Sequence, residues 1–432
     1  MLGGGTFVAQ NKVLPGAYIN FVSLATASAT LSDRGIATMP LELDWGVEDS
    51  VFEVTSADFQ KNSMKLFGYS YDHDKMKGLR DLFRNIHTLY AFRMNGGDKA
   101  TNAHATAKHG GVRGNDLKIV IQKNVDDESM FDVKTVMDTT VVDVQTVSSA
   151  SELVANDFVA WNGADLEVTA GIALTGGTNS ITDGASHQAY LDKIESYSFN
   201  VMGVVATEDS IKALYANFAK RMRDEVGAKF QIVLYNKAAD YEGVINVKNK
   251  TTDTGWGESS LVYWVTGIAA GCAINKSNLN KVYDGEFTVD VDYTQSQLVK
   301  AIQSGEFVLH KVGSDVRVLE DVNSLVTVTD TKGEIFKDNQ TIRVIDQIAN
   351  DTAVLFNTKY LGSVPNDAAG RISLWTDIVK HREQLQAIRA IEGFSDKDVT
   401  VDQGATKKAV VVNDAVTVVN AMAKLYMTTT VA

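Results

Sequence analysis

Apolar positions along the chain follow two spacings, and the dominant spacing changes twice. Met76, Leu79, Leu82, Phe83 and Ile86 recur every three to four residues, which predicts a helix over 76–86. Spacing within 52–67 is helical in part. The apolar run 89–94 is closed by Asn95-Gly96-Gly97-Asp98, a turn signal, and predicts a short strand. From 98 to about 178 the texture becomes strand-like. Runs at 117–121, 131–137, 140–147 and 158–161 are rich in Val and Thr and alternate with polar residues, and only 149–154 hints at a helical turn. Helix and strand alternate again after Ser186. A helix is predicted over 187–197 with Ser186 as its cap, then a buried strand over 199–205. Next comes a helix capped by Asp209, with the stripe Ile211, Leu214, Tyr215, Phe218, Met222 and Val226, ending at Gly227, and a further strand over 230–235. Strand, helix and strand at this spacing form a βαβ unit, so the sheet is parallel there. Thr294-Gln295-Ser296-Gln297 is a capping box opening a helix over 295–303 that stops at Gly305.

The two ends read differently from the body. Near the start, Val13-Leu14-Pro15-Gly16 leads into alternation of Ala17, Ile19 and Phe21 with Tyr18 and Asn20, a strand beside a free terminus. Near the end, a long amphipathic helix is predicted over 372–391. Its stripe is Ile372, Trp375, Val379, Leu385 and Ile388, and its polar face carries Lys380, His381, Glu383 and Gln384, with Arg382 near it. A helix over 415–424 is then expected, followed by the β-rich tail from Leu425 to Ala432, which has no partner strand in the sequence. No internal repeat at a fixed period is visible.

With 432 residues the chain is too long for one ordinary core. It is 44% hydrophobic and 22% charged, with three prolines and no low-complexity tract, which is a globular composition. The formal net charge is −13 and no Lys/Arg run exceeds two residues, so there is no footprint for nucleic acid or for an anionic membrane. Cys272 is the one cysteine, so no intrachain disulfide can form and a reducing compartment is expected. It sits in a small apolar run and reads as a buried, inert thiol. The start of the chain lacks a basic then apolar signal pattern, and the apolar stretch 261–274 is too short for a membrane span.

Candidate chemistry is sparse. His104 and His109 lie five residues apart with no Cys or carboxylate cluster, and Asp72-His73-Asp74 reads as a solvated loop. There is no Gly-x-Ser-x-Gly elbow. Gly110-Gly111-Val112-Arg113-Gly114-Asn115-Asp116 fails both as a P-loop and as a dinucleotide fingerprint, and reads as a tight turn into the strand at 117. No catalytic, metal or cofactor-binding residues are assigned.

Short motifs in order along the chain resemble the sheath proteins of contractile phage tails, in particular the compact type of Gram-positive phages and phage-tail-like bacteriocins. They are Pro15-Gly16-Ala17-Tyr18, Arg34-Gly35-Ile36 with Trp45-Gly46, Gly114-Asn115-Asp116-Leu117, Leu174-Thr175-Gly176-Gly177, and Tyr283-Asp284-Gly285 with Tyr293-Thr294. The strongest are C-terminal: Asp321-Val322-Asn323-Ser324-Leu325, Lys332-Gly333, Arg343-Val344-Ile345-Asp346, Asn350-Asp351, and Tyr360-Leu361-Gly362 with Asn366. Val322 stands where the family usually has Ile.

The resemblance implies an α/β fold class: a subtilisin-like α/β main domain without the protease triad, an inserted all-β sandwich, and an α+β C-terminal domain with extended terminal arms. The expected division is an N-terminal arm at 1–22, the first part of the α/β domain at 23–97, the β-sandwich insertion at 98–178, the central domain at 179–330 and the C-terminal domain at 331–432. Val13, Pro15, Gly16, Tyr18, Ile19 and Phe21 would form one inter-subunit arm, and Leu425, Tyr426, Met427, Thr429 and Val431 the other. Lys380, His381, Arg382 and Gln384 are the candidates to face an inner tube. Expected partners are further copies in a helical homopolymer of hexameric rings, the inner tail tube protein, and baseplate and tail terminator proteins, with no cofactor, nucleic acid or membrane insertion. The expected location is a virion or phage-tail-like particle assembled in a bacterial host cytoplasm. Two other readings stay open: a cytosolic α/β hydrolase with an unrecognised active site, and a different structural shell or adhesin suggested by the β-rich insertion.

Overall fold

The computed structural model describes residues 31–431, together with the backbone of Gly3–Gly5 and Gly16–Tyr18. The chain divides into two compact units, 33–346 with 419–432, and 1–32 with 347–418.

A seven-stranded sheet organises the larger unit. Its order is Glu306–Phe307, Val244–Val247, Gln231–Tyr235, Val201–Val204, Ile36–Leu41, Thr88–Arg93 and Val51–Thr55. All neighbours are parallel except the edge strand Val51–Thr55, which pairs antiparallel with Thr88–Arg93. The inner strands are near-continuous apolar runs because helices cover both faces. Val233, Ile245 and Val247 pack with the helices Ser56–Phe67, Lys77–Phe83 and Leu261–Gly271. Ile232, Leu234 and Val244 point the other way, onto Gly184–Ile194 and Asp209–Arg221. Helix Leu261–Gly271 is apolar almost all round because it lies within the core. Gly203 lets it approach, since a Cβ there would fall 2.2 Å from Thr266 Oγ1.

Several local expectations hold. Thr294 caps Gln295–Gln303 with a reciprocal box through Gln297, and Gly227 closes the turn Met222–Val226 at φ 94°. The helix expected at 187 begins at Gly184 instead. Asp183 is its N-cap and Ser186 is the reciprocating third residue, because the carboxylate reaches the Ser186 amide. Asp209 is the first residue of its helix and Glu208 is its cap.

The β-rich stretch forms a four-stranded antiparallel sheet, ordered Thr169–Ala173, Leu117–Lys123, Phe131–Met137 and Thr140–Val147. A pair, Ala105–Ala107 with Val159–Trp161, closes over Ile119, Ile121, Val133 and Phe158. The strand Thr169–Ala173 was not legible in sequence. It is an edge strand, mostly exposed, with Gly171 at an irregular register, so it lacks the half-buried alternation.

In the smaller unit, helix Ala368–Ala387 packs against the hairpin Val399–Gln403 and Val410–Asp414, around Tyr360, Leu374, Ile378 and Val399. Two expectations are corrected here. The long helix was placed at 372–391. It starts four residues earlier because Asp367 caps it through Gly370 N, and Ile372 is 63% exposed. It stops at Ile388 because Arg389 adopts φ 62°, with Arg389 N bonded to Gln386 O and Ala390 N to Leu385 O. That is a Schellman stop without glycine, so no sequence signal announced it. The helix expected at 415–424 is absent. Thr417–Val418 instead pairs with Ile391–Glu392, and 419–431 carries no helix or strand. Among the N-terminal arm residues, Gly16 and Tyr18 lie in a short strand parallel to Gly3–Gly5. Val13, Pro15, Ile19 and Phe21 lie outside the described residues.

Candidate assembly interface

The C-terminal tail leaves the larger unit from a defined root. Helix Asn339–Leu355 opens with Gln340 and Thr341 on its first turn. The Gln340 amide does the work of a neighbouring strand: Nε2 donates to Val419 O (3.0 Å) and Oε1 accepts from Ala421 N (2.9 Å). Asn420 Nδ2 donates to Thr341 Oγ1 at 3.1 Å. Asp338 caps the same turn by accepting from Thr341 N at 3.0 Å. Burial, then the Asp321 charge, push the Asp338 carboxyl up to about 6. Beyond this clamp the tail is open. Met422 is 98% exposed, Leu425 86%, Tyr426 89% and Val431 90%. In an extended chain Leu425, Met427, Thr429 and Val431 share one face.

The N-terminal root lies in the smaller unit. Ser32 Oγ donates to Asp351 Oδ1 at 2.6 Å, and Leu31 N donates to Gln384 Oε1 at 3.3 Å. Asp351 also accepts from His381 Nε2 at 2.8 Å, and Arg382 Nη1 lies 2.7 Å from His381 Nδ1. Arg382 Nε continues to Asp414 at 2.8 Å. Burial works against the Asp351 charge, but hydrogen bonds from His381, Ser32 and Gln347 hold its carboxyl below the usual range.

These contacts revise the expected tube-facing patch. Of Lys380, His381, Arg382 and Gln384, Lys380 is exposed, whereas His381 and Arg382 are buried within the unit. The periodicity of 372–391 gave a polar face, but His381 and Arg382 on it meet a second polar layer, while Lys380 and Glu383 meet water. The hairpin strand Val410–Asp414 pairs with Val399–Gln403 on one side and has no strand on its other edge among the described residues. It borders an apolar groove of about 480 Å³ lined by Ile348, Phe356, Leu374, Ile378, Val410 and Val412.

The C-terminal motif residues serve packing. Asp321 receives Arg343 Nη2 at 2.8 Å, Asn339 Nδ2 at 3.0 Å and Asn278 N at 2.9 Å, all buried. Asp346 pairs with Arg223 at 2.5 Å. The Asn366 amide donates to Lys407 O and Ala409 O. The candidate chemical groups are similarly committed. Burial, then Lys108, lower His109 to about 4, and its ring meets Trp45 edge-on. Cys272 is half-buried, with its thiol pushed up by burial. Ser259 and Ser260, at the start of the buried helix, donate to the carbonyls of Val205 and Gly257 rather than to an imidazole. Among the described residues no three His, Cys, Asp or Glu side chains converge as metal ligands, and no helix is long and apolar enough to cross a membrane.

Four family models match the chain in succession. They are the tail sheath protein Gp18 domain III N-terminal region at 34–94, the phage tail sheath protein beta-sandwich domain at 95–179, the phage tail sheath protein central domain at 182–324 and the phage tail sheath C-terminal domain at 331–432. The chain belongs to the phage tail sheath family. The phage-like element PBSX protein XkdK of Bacillus subtilis is 33% identical, with 98% of this chain and 99% of that protein covered. The crystal structure of a sheath tail protein from Desulfitobacterium hafniense superposes with a TM-score of 0.82 at 36% identity, covering 94% of this chain and 97% of that one. The helical sheath of the anti-feeding prophage in its contracted state shares the fold at a TM-score of 0.60 and 12% identity, over 97% and 99% of the two chains.

Sequence reasoning about this sheath-family chain named the tail residues and Asp351 but missed Gln340, Thr341 and Ser32 as roots. A buried Gln on a first helical turn carries no pattern that distinguishes it from an ordinary helix former.

Proposed function

We propose that this chain is the structural subunit of a contractile tail sheath. It polymerises as rings around an inner tube, anchored on a baseplate and closed by a terminator, and it shortens to drive the tube through a target envelope. Family membership supports the sheath role, and the contracted helical sheath that shares the fold supports contraction. The central sheet is read as a subtilisin-like scaffold used for packing, and the serine hydroxyls spent on carbonyls speak against the hydrolase reading.

The observation that carries the assembly reading is the clamped but unpaired tail. An exposed apolar strand is an aggregation hazard in a soluble monomer, whereas a polymer uses it for strand addition to a neighbour. The free edge at Val410–Asp414 and its groove suit the Leu425, Met427 and Val431 face of a second copy. Each such side chain contributes roughly 1.5–3 kcal/mol on full burial before ordering costs. A head-to-tail contact of this kind builds rings where its rotation closes and a helix where it does not. Contraction is then a downhill repacking between two discrete arrangements and needs no nucleotide. The particle is a virion or a phage-tail-like body made in the host cytoplasm.

Negative-stain microscopy of the purified chain tests the proposal. Hollow striated rods or rings are expected, and a persistent small oligomer with hydrolase activity overturns it. For the tube-facing surface, Lys380 remains the accessible candidate. Lys380→Glu should weaken assembly on tubes, and unchanged assembly removes that surface.

A further inference from the structure

We infer that Asp351 and His381 form a positioning relay that sets the root of the N-terminal arm and the strand Val410–Asp414 together. The inference rests on the assembly reading for the meaning of the arm, but its geometry stands within one compact unit. Asp351, His381 and Arg382 are 8%, 3% and 2% exposed, so water does not compete for their hydrogen bonds. Asp351 receives Ser32 Oγ at 2.6 Å on one oxygen and His381 Nε2 at 2.8 Å on the other. Gln347 Nε2, one turn earlier on the same helix, donates to the same carboxylate at 2.8 Å.

The direction of the relay follows from donor chemistry. Arg382 is a donor only, so His381 Nδ1, 2.7 Å from Arg382 Nη1, must accept. His381 Nε2 then carries the proton and donates to Asp351. The imidazole is therefore fixed as one tautomer, with one donor and one acceptor. Arg382 spends Nε on Asp414 at 2.8 Å and Nη2 on Thr352 at 3.3 Å. Asp414 ends the strand that has no partner on its other edge among the described residues, and Ser32 ends the segment that leads to the arm. The donor root and the acceptor edge thus share one chain of bonds, buried at His381 and part-buried at its Ser32 and Asp414 ends. Asp351 and His381 are positioning residues, because neither faces a partner directly.

Hydrogen exchange on the full chain before assembly tests this. Ser32→Ala should raise exchange at 31–32 alone. His381→Leu should raise exchange at 410–414 by about tenfold or more, with the central strand Gln231–Tyr235 unchanged. His381→Gln should restore wild-type protection, because an amide reproduces one donor towards Asp351 and one acceptor towards Arg382. If His381→Gln behaves like His381→Leu, or if Asp351→Asn folds and leaves 410–414 as protected as wild type, the relay is overturned. Circular dichroism identifies any variant that fails to fold, and the Gln and Leu pair then decides alone. Rods built by a chain lacking its arms would refute the assembly reading without altering these exchange results.

Discussion

The strand Val201–Val204 and residues 422–431 both carry Val and Met, and they meet opposite fates. Met202 is fully buried between two helical layers, whereas Met427 is 78% exposed. The inner strand has neighbours on both sides and helices on both faces, supplied by its own chain. The tail is gripped for three residues by Gln340 and Thr341 and then released. The lesson is that β-propensity states a need for a partner but not which molecule supplies it. Where the chain closes the need internally, the residue is core; where it does not, the residue stays exposed.

Removing residues 422–432 should separate the two regions most sharply. Rod or ring formation is expected to disappear while the thermal midpoint moves by less than about 2 °C, because a solvated tail adds little to the fold. Rods from the shortened chain, seen by microscopy, would break the comparison. The converse change is Trp264→Ala. Trp264 is fully buried and its Nε1 donates to Asp284 at 2.7 Å. Truncation should cost about 3–5 kcal/mol in urea unfolding, with the tail as exposed to proteolysis as before.

An intermediate effect is written into the pH dependence of the body. Burial raises Asp81 to about 6, with Glu286 N and Tyr283 Oη donating to it. A folded-state value above the unfolded one means that the folded chain binds the proton more tightly. Stability should therefore rise as pH falls from 7 to 5, by about 1 kcal/mol from this group. Asp81→Asn should reduce that rise, leaving the part that Asp338 contributes, in denaturant titrations at the two pH values, and an unchanged slope would locate the effect elsewhere. The smallest expected effect sharpens the tail itself. Leu425→Asp should raise the concentration needed for assembly by about tenfold or more, measured by light scattering. Tyr426→Asp, on the opposite face of an extended strand, should raise it less. Equal effects would mean that the tail does not dock as a strand.

Legibility in the sequence followed local pattern. Strands 117–123, 131–137 and 140–147 were visible because each keeps its β-branched pattern, and the Thr294 box was visible because capping is a local exchange of hydrogen bonds. The helix end at Arg389 was not visible, since a left-handed stop without glycine leaves no composition signal. Residues 415–424 read as helix in the sequence. The outcome there was decided by Thr417–Val418 finding Ile391–Glu392 and by Gln340 binding the Val419 carbonyl, both far away in sequence.

Local spacing, caps and turn residues by themselves determined the α/β body, the β-rich insertion, and a tail whose residues want a strand partner, because those signals act within a few residues. Tertiary structure alone decided that His381 and Arg382 turn inward to Asp351 and Asp414, and that the tail is rooted on Gln340. Those choices depend on hydrogen-bonding groups brought together across dozens to hundreds of residues, and burial makes each such pairing obligatory.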